Sequence, residues 1–136
     1  MADRARNGVD GPAGDRAMPT TTIVFNAKAT EFMSEGDPTK VRINASWKDS
    51  PGLLLRPTNR KAGPHLMLPL TSRAKGYVIE IDDAVLEKMH EEGMPGDFLQ
   101  AGERYSVIDE TYGWVALLPG EDHEAAVGTA TISMKK

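Results

Sequence analysis

Tyr77-Val-Ile-Glu-Ile-Asp-Asp-Ala-Val-Leu-Glu-Lys-Met-His-Glu-Glu-Gly93 is a strand that runs straight into a helix, and the rest of the chain is read from it. Residues 77–81 are rich in β-branched and aromatic side chains, which suit a pleated, half-buried surface. Asp82 supplies an N-cap, Asp83 places negative charge at the positive helix start, and Gly93 supplies the stop. Between them Val85, Leu86 and Met89 form an apolar stripe, with Glu87, Lys88, Glu91 and Glu92 turned to water.

Upstream the charge changes sign. Residues 56–75 carry Arg56, Arg60, Lys61, Arg73 and Lys75 and no carboxylate at all. Residues 57–64, with Pro at each end, read as a loop. Residues 65–68 read as a short strand that Pro69, lacking an N–H, confines to a sheet edge or ends in a bulge. Direct pairing of 66–68 with 77–79 is expected. That would put the turn at 71–75 and the loop at 57–64 at opposite ends of a hairpin, roughly 15 Å apart at about 3.3 Å per residue.

Farther out, residues 40–47 alternate cleanly. Val41, Ile43, Ala45 and Trp47 share one face, and Lys40, Arg42, Asn44 and Ser46 form a wet, mildly basic outer one. With 53–55 they predict a hairpin across the turn at 49–52. Residues 20–27 read as a strand, and 28–35 as one or two helical turns with Phe32 and Met33 inward. Residues 104–109 and 114–118 read as strands about a Thr111-Tyr-Gly113 turn, and 126–134 as a last strand. No sequence repeat and no alternating βαβ rhythm is visible. The expected class is therefore α+β and β-rich: an antiparallel or mixed sheet, curled into a partial barrel, with one main helix packed on it. Residues 1–19, rich in Gly, Pro and Ala with balanced charge, predict a disordered tail ahead of one globular domain over 20–136.

At 136 residues and a net charge of −4, the chain suits one core and argues against a surface that is basic throughout. The absence of cysteine removes disulfides, thiolate metal sites and thiol chemistry. No apolar run is long enough for a membrane helix and no secretory signal is visible, so a soluble, cytoplasmic protein with no membrane partner is expected. His65, His90 and His123 lack metal-ligand spacing, and no cofactor or metal is assigned. His65 between Lys61 and Arg73 is the one arrangement with acid–base chemistry in reach. A histidine at a strand start is the plainer reading, and no catalytic residue is assigned.

Residues 75–81, the following helix, Gly93-Met-Pro-Gly-Asp97 and a strand pair resemble the AbrB/MazE swapped-hairpin domain. The likeness covers about a third of the chain and implies a dimer that binds DNA. It departs where that family has Pro before its helix, since Ile81-Asp82 stands there.

Function is expected to be non-enzymatic binding. The best ligand from the residues is nucleic acid, or an assembly that handles it, contacted through Arg56, Arg60, Lys61, Arg73 and Lys75. A homo-oligomer is compatible with this reading. The alternatives are a structural or assembly subunit, such as a virion component, and a protein inhibitor acting through the acidic face Glu87, Glu91 and Glu92.

Overall fold

A computed structural model describes residues 20–46, 52–60, 66–110 and 112–135. In chain order the elements are β1 (Thr20–Phe25), α1 (Ala27–Met33), β2 (Lys40–Asn44), β3 (Leu53–Thr58), β4 (Leu66–Pro69) and β5 (Thr71–Arg73). They continue with β6 (Gly76–Asp82), α2 (Asp83–Glu92), β7 (Arg104–Asp109), β8 (Val115–Pro119) and β9 (Ala126–Lys135). All nine strands form one antiparallel sheet in the order β4-β2-β3-β8-β7-β9-β1-β6-β5. The two outermost strands, β4 and β5, are joined in the chain by Leu70 alone. The sheet must therefore curl until its edges meet, giving a nearly closed barrel. Ile23, Phe25, Val41, Ile43, Leu53, Leu55, Ile79, Ile81, Val107 and Leu117 point inward and are buried.

The β2–β3 hairpin and the β7–β8 pair form as the alternation predicts. Direct pairing of 66–68 with 77–79 does not occur. Residues 66–69 pair with β2, and only 71–73 pair with β6. Pro69 explains the division, because it has no N–H to continue a ladder toward β6.

The strand registers show a relation that no sequence repeat announces. The barrel is two β-α-β-β-β units related by a pseudo-two-fold axis. Asn26 caps α1 by accepting from Ala29 N at 2.8 Å, and Asp82 caps α2 by accepting from Val85 N at 2.9 Å. Aligning those caps matches buried Met33 with buried Met89 and Ile23 with Ile79. Ile23 and Ile79 are also direct cross-strand partners, which puts the axis through that pair. On the opposite wall it passes through Leu54 and Ala116, again equivalent and again paired.

The other ladders agree residue by residue. Val41↔Pro57 and Val41↔Leu68 in the first half match Tyr105↔Pro119 and Tyr105↔Ala130 in the second. Arg73↔Gly76 matches Lys135↔Thr20. Leu70 N donates to Thr39 O at 3.0 Å as Ile132 N donates to Glu103 O at 3.1 Å. β4, Leu70 and β5 together therefore take the place that β9 fills as one strand.

Because β1 and β6 are antiparallel, the helix after each caps an opposite end of the barrel. The main helix is α2, of ten residues, and the shorter α1, of seven, is the one expected at 28–35. In α1 Met33 turns inward as expected, but Phe32 is 40% exposed. Ala29 of α1 lies directly on Gly128 of β9, where an added Cβ would come within 2.4 Å of Ala29 N. Met89 is the buried anchor of α2, with Val85 and Leu86 half-buried beside it. The segment between α2 and β7 is held by buried Tyr105, whose hydroxyl donates to Phe98 O and accepts from Gln100 N at 3.2 Å. Burial raises its pKa above the ordinary 10.0, so the phenol stays neutral at physiological pH. The tail at 1–19 and Trp47 lie outside the described residues, and no described helix is long and apolar enough to cross a membrane.

Candidate functional site

Strand alternation sends Val41, Ile43, Leu53 and Leu55 into the barrel, so Lys40, Arg42 and Asn44 of β2 and Leu54, Arg56 and Thr58 of β3 face out. Register then sets Arg42 directly opposite Arg56. Like charges facing each other across a ladder are unfavourable unless something neutralises them. Among the described residues neither guanidinium is in an ion pair, and Arg42 Nε is buried with no hydrogen-bond partner. Lys40 extends this surface along β2, its Nζ reaching Arg60 O at 3.3 Å, and Arg60 is exposed just past the end of β3. The result is a cationic strip, Lys40–Arg42 on one strand and Arg56–Arg60 on the next.

The strip is bounded on one side by the β7–β8 turn. A Cβ placed on Gly113 would sit 3.4 Å from Arg56 Nε. One step past Leu55↔Val115, the β3–β8 ladder leads to Trp114 beside Arg56. Between this turn and α1 lies a cleft of about 360 Å³, lined by Phe32, Met33, Glu35, Pro57, Asp109, Gly113 and Val115.

Arg73 and Lys75 do not join the strip, although the opposite-end arrangement expected from the sequence is also wrong. Thr58 and Pro69 both pair with Lys40, so β3 and β4 leave the sheet at the same end of the barrel, the one capped by α1. The turn before Gly76 meets that helix at Thr30, whose Oγ1 accepts from Tyr77 N at 2.9 Å. The Arg60 side meets the segment after the helix through Asn59 Nδ2, which donates to Gly36 O and Asp37 O at 3.0 and 3.1 Å. Thr30 lies within α1 and Gly36 in the turn after it, and Glu31 and Glu35 lie between them in the chain. Arg73 makes a loose ion pair with Glu80 at 3.8 Å, both side chains about half exposed, which contributes little. Lys61 and His65 lie outside the described residues.

Arg42 and Lys40 are the members that residue reading missed as site residues. The signal was present in the alternation at 40–46, but linking Arg42 to Arg56 requires the register.

The acidic face is at the far end. Glu87, Glu91 and Glu92 are exposed on α2, whose first turn carries Asp83 and whose N-cap is Asp82. Glu121 accepts from Arg104 Nη1 with both carboxylate oxygens, at 3.1 and 3.2 Å. Among the described residues no group of His, Asp and Glu is arranged to hold a metal ion.

Comparison with known proteins adds no further constraint: no family model, no curated protein and no solved structure matches this chain. The likeness to the swapped-hairpin regulators accordingly rests on the motif residues alone.

Proposed function

We propose that this chain is a non-enzymatic binding protein that takes the phosphate backbone of a nucleic acid on the outer face of β2 and β3. The observation that carries this reading is Arg42 directly opposite Arg56 without a carboxylate partner among the described residues. A phosphate between two guanidiniums relieves their repulsion and accepts bidentate hydrogen bonds. Pseudo-symmetry strengthens the point, since the equivalent pair in the second half is Ser106 opposite Leu118. The barrel itself has no need of cations at these positions.

The test is binding of labelled mixed-sequence oligonucleotides as a function of salt. Arg42→Gln and Arg56→Gln should each reduce the steepness of the log–log salt dependence by about 0.7 to 0.9. Absence of binding by the unaltered protein at low salt would sink the reading.

A second reading, an assembly subunit, has one observation in its favour. The exposed carboxylates of α2 and the cationic strip are on opposite parts of the barrel, so copies or partners of opposite charge have a surface to meet. Salt-sensitive oligomers of the nuclease-treated protein, without oligonucleotide binding, would favour it.

A further inference from the structure

Resting on the proposed phosphate contact, we infer that the ligand of this face is a single strand rather than a duplex, with a base stacked on Tyr112. Tyr112 is 87% exposed, the most exposed large hydrophobic side chain among the described residues. It also holds φ at +59°, a left-handed conformation that side chains other than Gly, Asn and Asp seldom adopt. A hairpin tip of this kind is served at lower cost by Asn or Gly. Among the described residues, nothing in the barrel's own packing accounts for an aromatic ring held in water on a strained turn.

Position supplies the second link. Gly113, the next residue, adjoins Arg56 Nε, so the turn that carries Tyr112 borders the cationic strip. The strip is two strands wide, on the order of 5 Å between backbones, and its outward residues recur about every 6.7 Å along each strand. That repeat is close to the contour spacing of successive phosphates, so the strip tracks one backbone. On the β8 side a second backbone would meet Glu35 and Asp109 of the adjoining cleft, which repel phosphate. A free base face is available in a single strand and hidden in a duplex, and stacking on an aromatic ring is tolerant of base identity. Tyr77, the aromatic nearest the basic stretch in sequence, is buried and unable to serve. Tyr112 arrives only because β8 pairs with β3.

The experiment compares a labelled twelve-nucleotide single strand with its duplex, by anisotropy, for the full chain and for Tyr112→Ala, Tyr112→Phe and Arg56→Gln. The single strand should bind more tightly than the duplex. Tyr112→Ala should weaken single-strand binding by roughly 5- to 100-fold with its salt slope unchanged, whereas Arg56→Gln should lower the slope. Tyr112→Phe, which keeps the ring, should bind like the unaltered protein. Equal or tighter duplex binding, or unaltered single-strand binding by a Tyr112→Ala protein with native melting behaviour, overturns the inference and leaves the phosphate contact standing. Failure of the unaltered protein to bind either oligonucleotide removes the proposed function itself.

Discussion

The first half of the barrel places Arg42 opposite Arg56, whereas the second half places Ser106 opposite Leu118 at the equivalent outward positions. Ser106 is buried, with its hydroxyl satisfied by Gly120 O at 2.7 Å, while among the described residues the buried Nε of Arg42 has no acceptor. Inward positions show the reverse relation. Ile23 and Ile79, Met33 and Met89, Leu55 and Leu117, and Leu70 and Ile132 are apolar and buried in both halves. The fold fixes what points in and leaves what points out free to diverge, so functional chemistry is to be sought where equivalent outward residues differ.

The largest expected effect breaks the comparison where the halves pack differently. Leu66 occupies in the first half the place that Gly128 occupies in the second, where Ala29 leaves no room for a Cβ. Gly128→Ala should therefore cost about 3 kcal/mol, at the upper end for overpacking because the obstructing atoms are backbone. Urea unfolding measures this, and a loss below about 1 kcal/mol would mean that α1 is not seated on β9 as described.

The next prediction sharpens the equivalence of the helices. Met33→Ala and Met89→Ala should each cost about 2 to 4 kcal/mol, the range for large-to-small changes in a core. A near-neutral Met89→Ala would make α2 a detachable cap and confine the tight packing to the first half.

A third measurement should show almost nothing, and that is its value. Thr20 and Lys135 are cross-strand partners as Gly76 and Arg73 are, and Ala74 and Lys75 close the latter pair. A circular permutant opened between Ala74 and Lys75, with residues 20 and 135 joined by two residues, should keep the native circular-dichroism spectrum. Its melting temperature should stay within a few degrees. An unfolded permutant would contradict the equivalence of the two closures.

Much of this barrel was legible in the residues. The alternation at 40–47, the capped helix from Asp82 to Gly93 and the strands on either side of Tyr112 are local patterns, and local patterns survive in a sequence. The duplication was hidden because the units share few identities and their connections differ in length. Six residues separate α1 from β2, whereas eleven separate α2 from β7, so no single period exists to be found. The pairing of 66–69 with β2 rather than β6 is a non-local choice between two strands far apart in the sheet order. Only the position of Pro69 hints at it. For the site, Arg56 and Arg60 were visible as charges in a carboxylate-free stretch, but the register that sets Arg42 against Arg56 is a tertiary fact. Tyr112 was visible only as part of a turn, because its neighbours come from a strand more than fifty residues away.

The measurement closest to the central claim gives the first half the outward pair of the second, by Arg42→Ser together with Arg56→Leu. If the barrel holds these cations for a ligand and not for itself, the double variant should melt at or above the temperature of the unaltered protein, since a like-charge pair is gone. Its oligonucleotide binding should weaken sharply at low salt, with the log–log salt slope lower by about 1.5, as expected for two lost phosphate contacts. A double variant that is natively folded and binds with the original affinity and slope would contradict the account.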